Sequence, residues 1–312
     1  MAMSGVRVVF WKELADYFGS KRFLILFLII FVTSLSVSYM ASQGISATAD
    51  KKYLFLTLLS SSAGAVPSFV FFISFFGPLI GIILGFDAIS GERARGTLSL
   101  LMSQPIYRDA VINGKFWAGV ATVAITIASI IVIIAGVSMY ALGVVPNAEE
   151  IGRVFVFFVA STIYISFWLS LGILFSILFE RTSTSALVSI MVWIFFTFFM
   201  YMIAGVIADK AVPITKTATA AVVAKHETVK SMIMRISPAV LFEEISIAIL
   251  NPSVRVFGVV FQSQLKGLLP TPLPLGQSIM VVWPQFVSLI ALMLVCFAIS
   301  YVKFMRQEIR AT

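Results

Sequence analysis

Residues that carry out enzymatic chemistry are scarce in this sequence. It holds one histidine, His226, and one cysteine, Cys296, and the cysteine lies inside a long apolar block. A metal centre, a redox pair or a nucleophile with its base needs several such residues together. The phosphate-binding pattern G-x-x-x-x-G-K-[ST] is also absent from the sequence. We therefore predict no catalytic residue, no metal site and no cofactor bound by this chain, and we expect His226 to be a solvated surface residue.

The charged residues fall between apolar blocks rather than along one polar face. Of the 312 residues, 60% are hydrophobic and 12% are charged, and 22 Lys and Arg outnumber 14 Asp and Glu for a formal net charge of +8. A soluble domain is about a quarter charged. Basic residues that flank apolar blocks are typical of membrane topology signals. We predict an integral membrane protein that binds no nucleic acid.

Six apolar blocks are long enough to cross a bilayer, which takes about 20 residues. Basic residues concentrate before the first block, between the second and third, and after the last, so the positive-inside rule predicts that both termini are cytoplasmic. The first block could also be read as a cleavable signal peptide, but its length and the acidic residues before it favour a retained span. The blocks are Phe23–Met40, Val66–Ile89, Phe116–Leu142, Val154–Phe179, Ala186–Ile207 and Ser278–Val302.

Ionisable groups are missing from these blocks, apart from Asp87 near the end of the second. Proton- or sodium-coupled carriers keep such groups at membrane depth, because coupling requires a charge that the ion neutralises. The pattern disfavours a secondary carrier. Energy for transport would then have to enter from outside the bilayer.

Small residues recur at every fourth position of the second block. Gly77-Pro78, Gly81 and Gly85 form a ridge that lets another helix approach closely, and Pro78 is expected to kink the helix. Two interpretations of the ridge stay open: packing within one subunit, or a subunit–subunit or gating interface. The fourth block carries a mildly polar stripe that either faces a pathway or bonds to neighbouring carbonyls. Its members are Ser161, Ser166, Ser170, Gly172 and Ser176.

Residues 208–277 separate the last two blocks and are predicted to lie outside the cell. Ser237-Pro238 has the form of a helix cap followed by a first helical position, and Asn251-Pro252 ends the helix that follows. The amphipathic pattern between them predicts a helix that lies on the membrane or on the spans. An outer gate, a docking surface for an extracytoplasmic partner and a structural cap all remain open.

Two segments on the predicted cytoplasmic side have defined patterns. Residues 87–115 combine a charged start, a Gly96-Thr97 break, an apolar turn and a terminating Pro105, which predicts a short helix that points into the cytoplasm. Residues 6–22 predict a helix that lies at the membrane interface and leads sideways into the first span. Its apolar side would comprise Val9, Phe10, Leu14, Tyr17 and Phe18.

The connection between the second and third blocks also carries a family resemblance. It contains Asp87-Ala88-Ile89-Ser90-Gly91-Glu92, Gly96-Thr97-Leu98, Leu101, Pro105, Arg108 and Gly114-Lys115. This pattern resembles the signature of the type-2 ATP-binding-cassette permeases, an exporter family that includes the permeases accompanying nitrous-oxide reductase maturation. Trp11-Lys12-Glu13-Leu14 with Lys21-Arg22 is similar to the N-terminal elbow helix of that family.

The resemblance implies an all-α integral membrane fold with six transmembrane helices. An amphipathic elbow helix would occupy residues 1–22, and spans one to five would occupy 23–207. A coupling helix at about 90–108 would insert into a cleft of a separate cytoplasmic ATPase, which binds the ATP and Mg²⁺. An extracytoplasmic helical segment would occupy 208–277, and span six with a cytoplasmic tail would occupy 278–312.

The resemblance also implies which residues take part in coupling. Glu92 would lie beside the coupling helix, in an ion pair with Arg95 or with a residue of the ATPase. Leu98, Leu101 and Met102 would supply an apolar knob for the cleft. The full set expected to couple to the ATPase is Glu92, Arg95, Gly96, Thr97, Leu98, Leu101, Met102, Pro105 and Arg108. Trp11, Lys12 and Glu13 are expected in the elbow helix only.

The resulting hypothesis is the permease subunit of an ATP-driven exporter in a prokaryotic cell membrane. Two permease subunits, more simply identical than different, would pair within the membrane lipids and bind two ATPases. The alternatives are a membrane scaffold or receptor-like subunit without transport activity, and the disfavoured secondary carrier. Uncharged spans mildly favour an amphipathic or lipid-like cargo over a free metal ion.

Overall fold

The computed structural model describes residues 2–44, 53–60, 68–104, 106–143, 145–214, 219–252 and 272–307, and the regular structure within these ranges is helical. The predicted all-α fold is thereby confirmed. A π-helical turn, Phe195–Phe199, joins α9 to α10. The helices are α1 Ala2–Gly19, α2 Lys21–Gly44, α3 Leu54–Ser60, α4 Phe69–Gly85, α5 Ser90–Ala94, α6 Thr97–Ser103, α7 Arg108–Leu142, α8 Ala148–Leu178, α9 Thr182–Ile194, α10 Met200–Ala211, α11 Ala220–Met234, α12 Pro238–Leu250 and α13 Leu275–Arg306.

Four helices among the described residues are long and apolar enough to cross a membrane. They are α7, α8, the continuous helix through α9 and α10, and α13. The helices α1 and α2 form a pair bent by 54°, which gives a fifth candidate if the pair is one span. α4 is apolar but has only 17 residues. The helices therefore provide four or five candidate spans, and the six-span layout stays a prediction.

The second predicted span ends earlier than its sequence indicated. α4 stops at Gly85 and a turn carries the chain to Ser90, so Asp87 lies beyond the helix. Hydroxyl groups satisfy the backbone of this turn. Ser176 on α8 accepts the N–H groups of Ile89 and Ser90 at 2.9 Å, and Ser185 on α9 donates to the Phe86 carbonyl at 2.8 Å. These bonds replace those that a continuing helix would make.

The glycine ridge of α4 packs against α8 inside the subunit. A Cβ atom on Gly81 would lie 2.5 Å from the Ile165 carbonyl oxygen, and one on Gly85 would lie 2.6 Å from the Leu169 carbonyl oxygen. Only glycine permits backbones to approach this closely. Of the two interpretations of the ridge, the structure shows packing within one subunit, and this contact leaves no room there for a second subunit.

Pro78 lies within α4 and changes the hydrogen bonding one turn earlier. Because proline has no N–H, the Ser74 carbonyl lacks its helical donor. The Tyr164 hydroxyl on α8 donates to this carbonyl at 2.8 Å. The proline therefore adds a hydrogen bond between α4 and α8 beside the glycine contact.

The helices α11 and α12 lie alongside the candidate spans, with α11 packed against α10 and α12 packed against α8 and α13. The Ser237 hydroxyl, just before α12, donates to the Phe196 carbonyl, halfway along the 30-residue helix Thr182–Ala211. The Phe242 ring stacks on Tyr164, near the midpoint of α8, with centroids 4.5 Å apart. α12 has the bounds that the sequence predicted, but it is buried in the bundle rather than placed over its ends, and its Ser237 side chain forms no cap. Residues 215–218 and 253–271 of the predicted outer segment lie outside the described residues.

Candidate functional site

Four charged side chains meet where α1, α5 and α7 come together, at what we call the basal end of the bundle. Lys115 on α7 places its Nζ atom 2.7 Å from Glu13 Oε1 and 3.5 Å from Glu92 Oε1. Lys12 places its Nζ atom 2.9 Å and 3.4 Å from the same two oxygens. We call Lys12, Glu13, Glu92 and Lys115 the basal cluster. Its two carboxylates and two ammonium groups join three helices that are far apart in sequence.

The basal cluster is largely removed from solvent. The side chain of Lys115 is 3% exposed, and those of Glu13 and Glu92 are each 7% exposed. Burying a charge is costly unless it is paired, so the cluster is stable only as a set. α1 can approach α7 this closely because position 114 is glycine, where a Cβ atom would lie 2.7 Å from Val9. The sequence predicts Glu13 in the elbow helix and Lys115 in the family pattern, but it does not indicate that the two side chains meet.

Glu92 also organises the turn between α5 and α6. The Thr97 hydroxyl donates to the Glu92 carboxylate and to the Glu92 carbonyl. Gly96 between them has φ of 70°, a left-handed conformation that favours glycine. The predicted ion pair between Glu92 and Arg95 is present but looser. The Arg95 Nη2 atom lies 3.7 Å from Glu92 Oε1, and the Arg95 side chain is 63% exposed. Glu92 therefore fixes α6 to the basal cluster.

The pKa of Glu92 reflects competing effects. Burial raises it, but the Thr97 hydroxyl and the ammonium groups of Lys115 and Lys12 together lower the pKa to about 2. Burial lowers the pKa of Lys12, but the carboxylates of Glu13, Asp16 and Glu92 together raise it above its ordinary value. Both groups therefore keep their charge across the physiological pH range.

We expect the stabilising effect of Glu92 to be constant at neutral pH and to vanish in acid. A carboxyl group whose pKa is lowered on folding stabilises the fold fully above its unfolded pKa, about 4.3, and loses this effect as pH falls through the folded value. The contribution at neutral pH is on the order of 3 kcal/mol. Thermal unfolding of wild type and Glu92→Gln should differ most above pH 5, and the gap should shrink toward pH 3. A gap that stays constant to pH 3 would contradict the assignment.

The helix α6 presents a different surface from the one that the sequence predicted. Leu98 is 4% exposed and belongs to the hydrophobic core, so it anchors α6 from inside and does not project as a knob. Ser99, Ser103 and Gln104 are exposed. The side chains of Leu101 and Met102, and the whole of Pro105, lie outside what the structure describes.

Arg108 has an intramolecular partner rather than a free side chain. It begins α7, and its Nη1 atom donates to the Gln307 carbonyl, just beyond the end of α13, at 2.9 Å. This bond joins the third and last of the predicted spans at the basal end. The structure therefore gives Arg108 a role in holding the bundle together.

The outer side of α1 carries an apolar stripe. Val8, Trp11 and Phe18 are exposed, and with Ala15 they recur at the spacing of one helix face. The opposite side holds Val9 and Glu13, which are buried against α7 and the basal cluster. An exposed apolar face with a tryptophan suits a helix that rests on the membrane interface.

A second polar cluster holds α12 in place and links it to the end of α11. Both carboxylate oxygens of Glu244 lie 3.0 Å from Arg235 Nε, and the Gln285 amide of α13 donates to Glu244 at 2.7 Å. The neighbouring Glu243 accepts a hydrogen bond from Ser74 of α4 at 3.3 Å. The apolar blocks of the sequence hold no charged residue apart from Asp87, but α12 brings the carboxylates of Glu243 and Glu244 beside them.

Replacing Glu244 should loosen α12 from the bundle. Glu244→Leu leaves Arg235 and the Gln285 amide without their acceptor. We expect the free energy of unfolding to fall by about 2 kcal/mol, less than for a fully buried pair because water still reaches Arg235. Glu243→Gln is the matched control, because an amide oxygen can still accept the Ser74 bond. Limited proteolysis within α12 measures its release. Equal cleavage of the two variants would argue against the pinning role.

The end of the bundle opposite the basal cluster is closed by a buried arginine. Arg153 is fully buried and donates to the Ile249 and Leu273 carbonyls and to Ser278, and its partner Glu149 lies 3.1 Å away. A capping box between Asn147 and Glu150 begins α8.

The expectation of a solvated His226 was wrong, because the ring is 5% exposed and its Nε2 atom lies 2.9 Å from Asp209.

Among the described residues, no group of three or more His, Cys, Asp and Glu could hold a metal ion. The charged residues brought together at the basal end form mutual ion pairs.

Comparison with known proteins gives this architecture a family. The family model described as ABC-2 family transporter protein matches residues 7–309. The chain is 25% identical over 189 residues to the probable ABC transporter permease protein NosY of Stutzerimonas stutzeri, covering 59% of this chain and 64% of that protein. It is 31% identical over 105 residues to the probable ABC transporter permease protein NosY of Pseudomonas aeruginosa, covering 34% of this chain and 35% of that protein. The matched part thus spans less than two thirds of either relative, but the family model covers nearly the whole chain, which therefore belongs to the ABC-2 family of transporter proteins.

Proposed function

We propose that this chain is the permease subunit of an ATP-driven exporter in a prokaryotic cell membrane, and that a separate cytoplasmic ATPase docks on α5 and α6. The basal end is then the cytoplasmic end, as the distribution of basic residues predicts. Family membership and the two permease relatives support a membrane subunit of this class. ATP and Mg²⁺ bind to the ATPase in this proposal.

The basal cluster is the observation that carries the coupling proposal. It ties α5 to α1 and to α7, so a displacement of α5 must move the elbow and a candidate span with it. A rigid connection is required because packed helices transmit movement only where their contacts hold. Leu98 strengthens the connection by anchoring α6 in the core.

The surface offered to the ATPase is polar at the described positions. Arg95, Ser99, Ser103 and Gln104 are exposed around α6, and the fixed Gly96 turn sets their direction. A charged and hydroxylated surface can specify a partner through hydrogen bonds and electrostatic complementarity. In this proposal Leu98 anchors α6 in the subunit, and the exposed polar residues face the ATPase.

A second copy of the chain is the proposed partner within the membrane. Only 17% of the most apolar window of Thr182–Ala211 is buried, against 67% in α8. Leu187, Met191, Phe198 and Met202 are all exposed on this helix. Such a face fits either lipid or a second subunit, and pairing of identical subunits would cover it.

Co-purification with an ATPase from the same genome tests the docking proposal. We expect Arg95→Glu combined with Ser99→Arg to abolish co-purification and to leave the permease monodisperse in detergent. Glu227→Lys, a charge reversal of a half-exposed side chain on α11, is the control and should leave binding unchanged. Unchanged binding of the ATPase to the α6 variant would contradict docking at this surface. Stimulation of ATP hydrolysis by a panel of amphipathic and lipid-like compounds then identifies the cargo class.

A further inference from the structure

A cavity of about 610 Å³ lies between the basal cluster and the first turns of α2. We infer that it is a binding site for a glycerophospholipid, with the lipid phosphate held by Lys21, Arg22 and the Tyr17 hydroxyl. The inference requires that the chain lies in a membrane, as its family indicates, but not that an ATPase docks on α6. Binding pockets for small molecules commonly have volumes of about 300–1,000 Å³.

The position of the cavity matches the depth of lipid headgroups. It is lined where α2 begins, at Lys21, and where α4 ends, near Gly85, so it lies at the end of two apolar helices. Phe23, Ile83 and Leu84 give it an apolar wall on the side of these helices. The exposed stripe of α1 containing Val8 and Trp11 places the same region at the membrane interface.

The lining charges leave cationic groups available for an anion. Glu13 and Glu92 are paired within the basal cluster, Asp16 lies 3.1 Å from Lys12, and Asp87 lies 3.3 Å from Arg22. Lys21 forms no ion pair among the residues that the structure describes, and the Arg22 side chain is 65% exposed, so it can accept a second anionic partner. Arginine and lysine at adjacent positions are suited to a phosphate.

The Tyr17 hydroxyl supplies an independent indication of a ligand. Its oxygen is buried and has no hydrogen-bond partner among the described residues, although Tyr17 lines the cavity. Burial, with Glu13, Asp87 and Asp16 nearby, raises the pKa of this group, so it stays protonated and remains a donor. A buried donor without an acceptor is costly, and a phosphate oxygen would satisfy it.

The N-terminus of α2 also favours the binding of an anion in the cavity. Its first turn, Lys21–Phe23, is the positive end of a 24-residue helix and lines the cavity. The apolar wall then continues along exposed residues of α2, including Leu24, Ile25 and Leu28, which can lie beside acyl chains. A phosphate with attached chains uses both parts of the site, whereas a free phosphate would use only the first.

Native mass spectrometry of the purified chain, titrated with phosphatidylglycerol, tests the inference. We expect Lys21→Gln combined with Arg22→Gln to weaken lipid binding by about tenfold or more, and Tyr17→Phe to weaken it by about fivefold. Lys303→Gln combined with Arg306→Gln is the matched control, because it removes two exposed cations at the same end of the bundle and should leave binding unchanged. Thermal unfolding of each variant confirms that it is folded.

Each arm of the titration discriminates. Binding that is equal in the wild type and in all variants would overturn the site, and so would an equal loss in the control, which would show an attraction to net charge alone. Displacement of the lipid by millimolar inorganic phosphate would overturn the lipid assignment, since the acyl chains would then contribute nothing. The two proposals can fail separately. If the lipid binds as expected but the α6 variant still co-purifies with the ATPase, the docking proposal is contradicted and the lipid site is not.

Discussion

Lys115→Ala is expected to destabilise the protein by about 3–5 kcal/mol, a large part of the total for an ordinary domain. The side chain is 3% exposed, and its ammonium group is the nearest cation to Glu13, at 2.7 Å. Its removal leaves two buried carboxylates with Lys12, whose side chain is 47% exposed. The measurement is the fraction of monodisperse protein after detergent extraction, together with the unfolding temperature.

Two further variants show whether the loss comes from unpaired charge. Arg95→Ala removes the looser, solvent-exposed partner of Glu92 and should cost at most about 1 kcal/mol. Glu13→Leu combined with Lys115→Met removes one acid and one base, and it should recover most of the stability because the remaining Lys12 and Glu92 still pair. A double variant less stable than Lys115→Ala would contradict the account of the basal cluster.

Gly81→Val is expected to prevent α4 from packing on α8. The new Cβ atom would lie 2.5 Å from the Ile165 carbonyl oxygen and 2.8 Å from the Leu169 nitrogen, so the two backbones must move apart. Separation would also weaken the Tyr164 bond to the Ser74 carbonyl. We expect a loss of about 3 kcal/mol or more, seen as a sharp fall in the yield of folded protein.

Gly136→Val in α7 is the control for the glycine substitution. A Cβ atom at this position meets no atom within 4 Å, so the same change in another apolar helix should have a small effect. If both variants were extracted in equal yield, the close approach of α4 and α8 would not be important for stability.

The elements that sequence reasoning located correctly have local signals. The apolar blocks lie on helices because each is long and continuous, and α12 has the predicted bounds because Pro238 begins it and Asn251-Pro252 follows it. The sharp bend between α1 and α2 also has a local cause, since Gly19-Ser20 interrupts the helix where the interfacial pattern gives way to the first apolar block. Such signals depend only on neighbouring residues.

The contacts that define the candidate site depend on residues far apart in sequence. Glu13 and Lys115 are 102 positions apart, and Arg153 and Ser278 are 125 positions apart. No periodicity in the chain indicates that these side chains meet. The sequence alone therefore indicates a topology signal or a solvated group for a charged residue beside an apolar block, whereas several such residues are buried and paired in the structure.

Leu98 shows why an apolar residue on a short helix is ambiguous. The pattern of α6 indicated an apolar face, and either the ATPase or the subunit itself could cover it. The structure buries Leu98 in the subunit, because the Gly96 turn and the Thr97 bond to Glu92 rotate α6 toward the core. Whether an apolar face points into the subunit or toward a partner can be decided only from its neighbours in the folded structure.

Cross-linking to the ATPase tests the central proposal most directly, since it asks whether α5 and α6 form the point through which energy enters the spans. In a Cys296→Ser background, Ser99→Cys should form an adduct with the co-expressed ATPase through a short bifunctional thiol reagent, and the yield should change when ATP is added. Tyr140→Cys, an exposed position near the other end of α7, should form none. An adduct from Tyr140→Cys, or none from Ser99→Cys while the ATPase remains bound, would contradict the proposal.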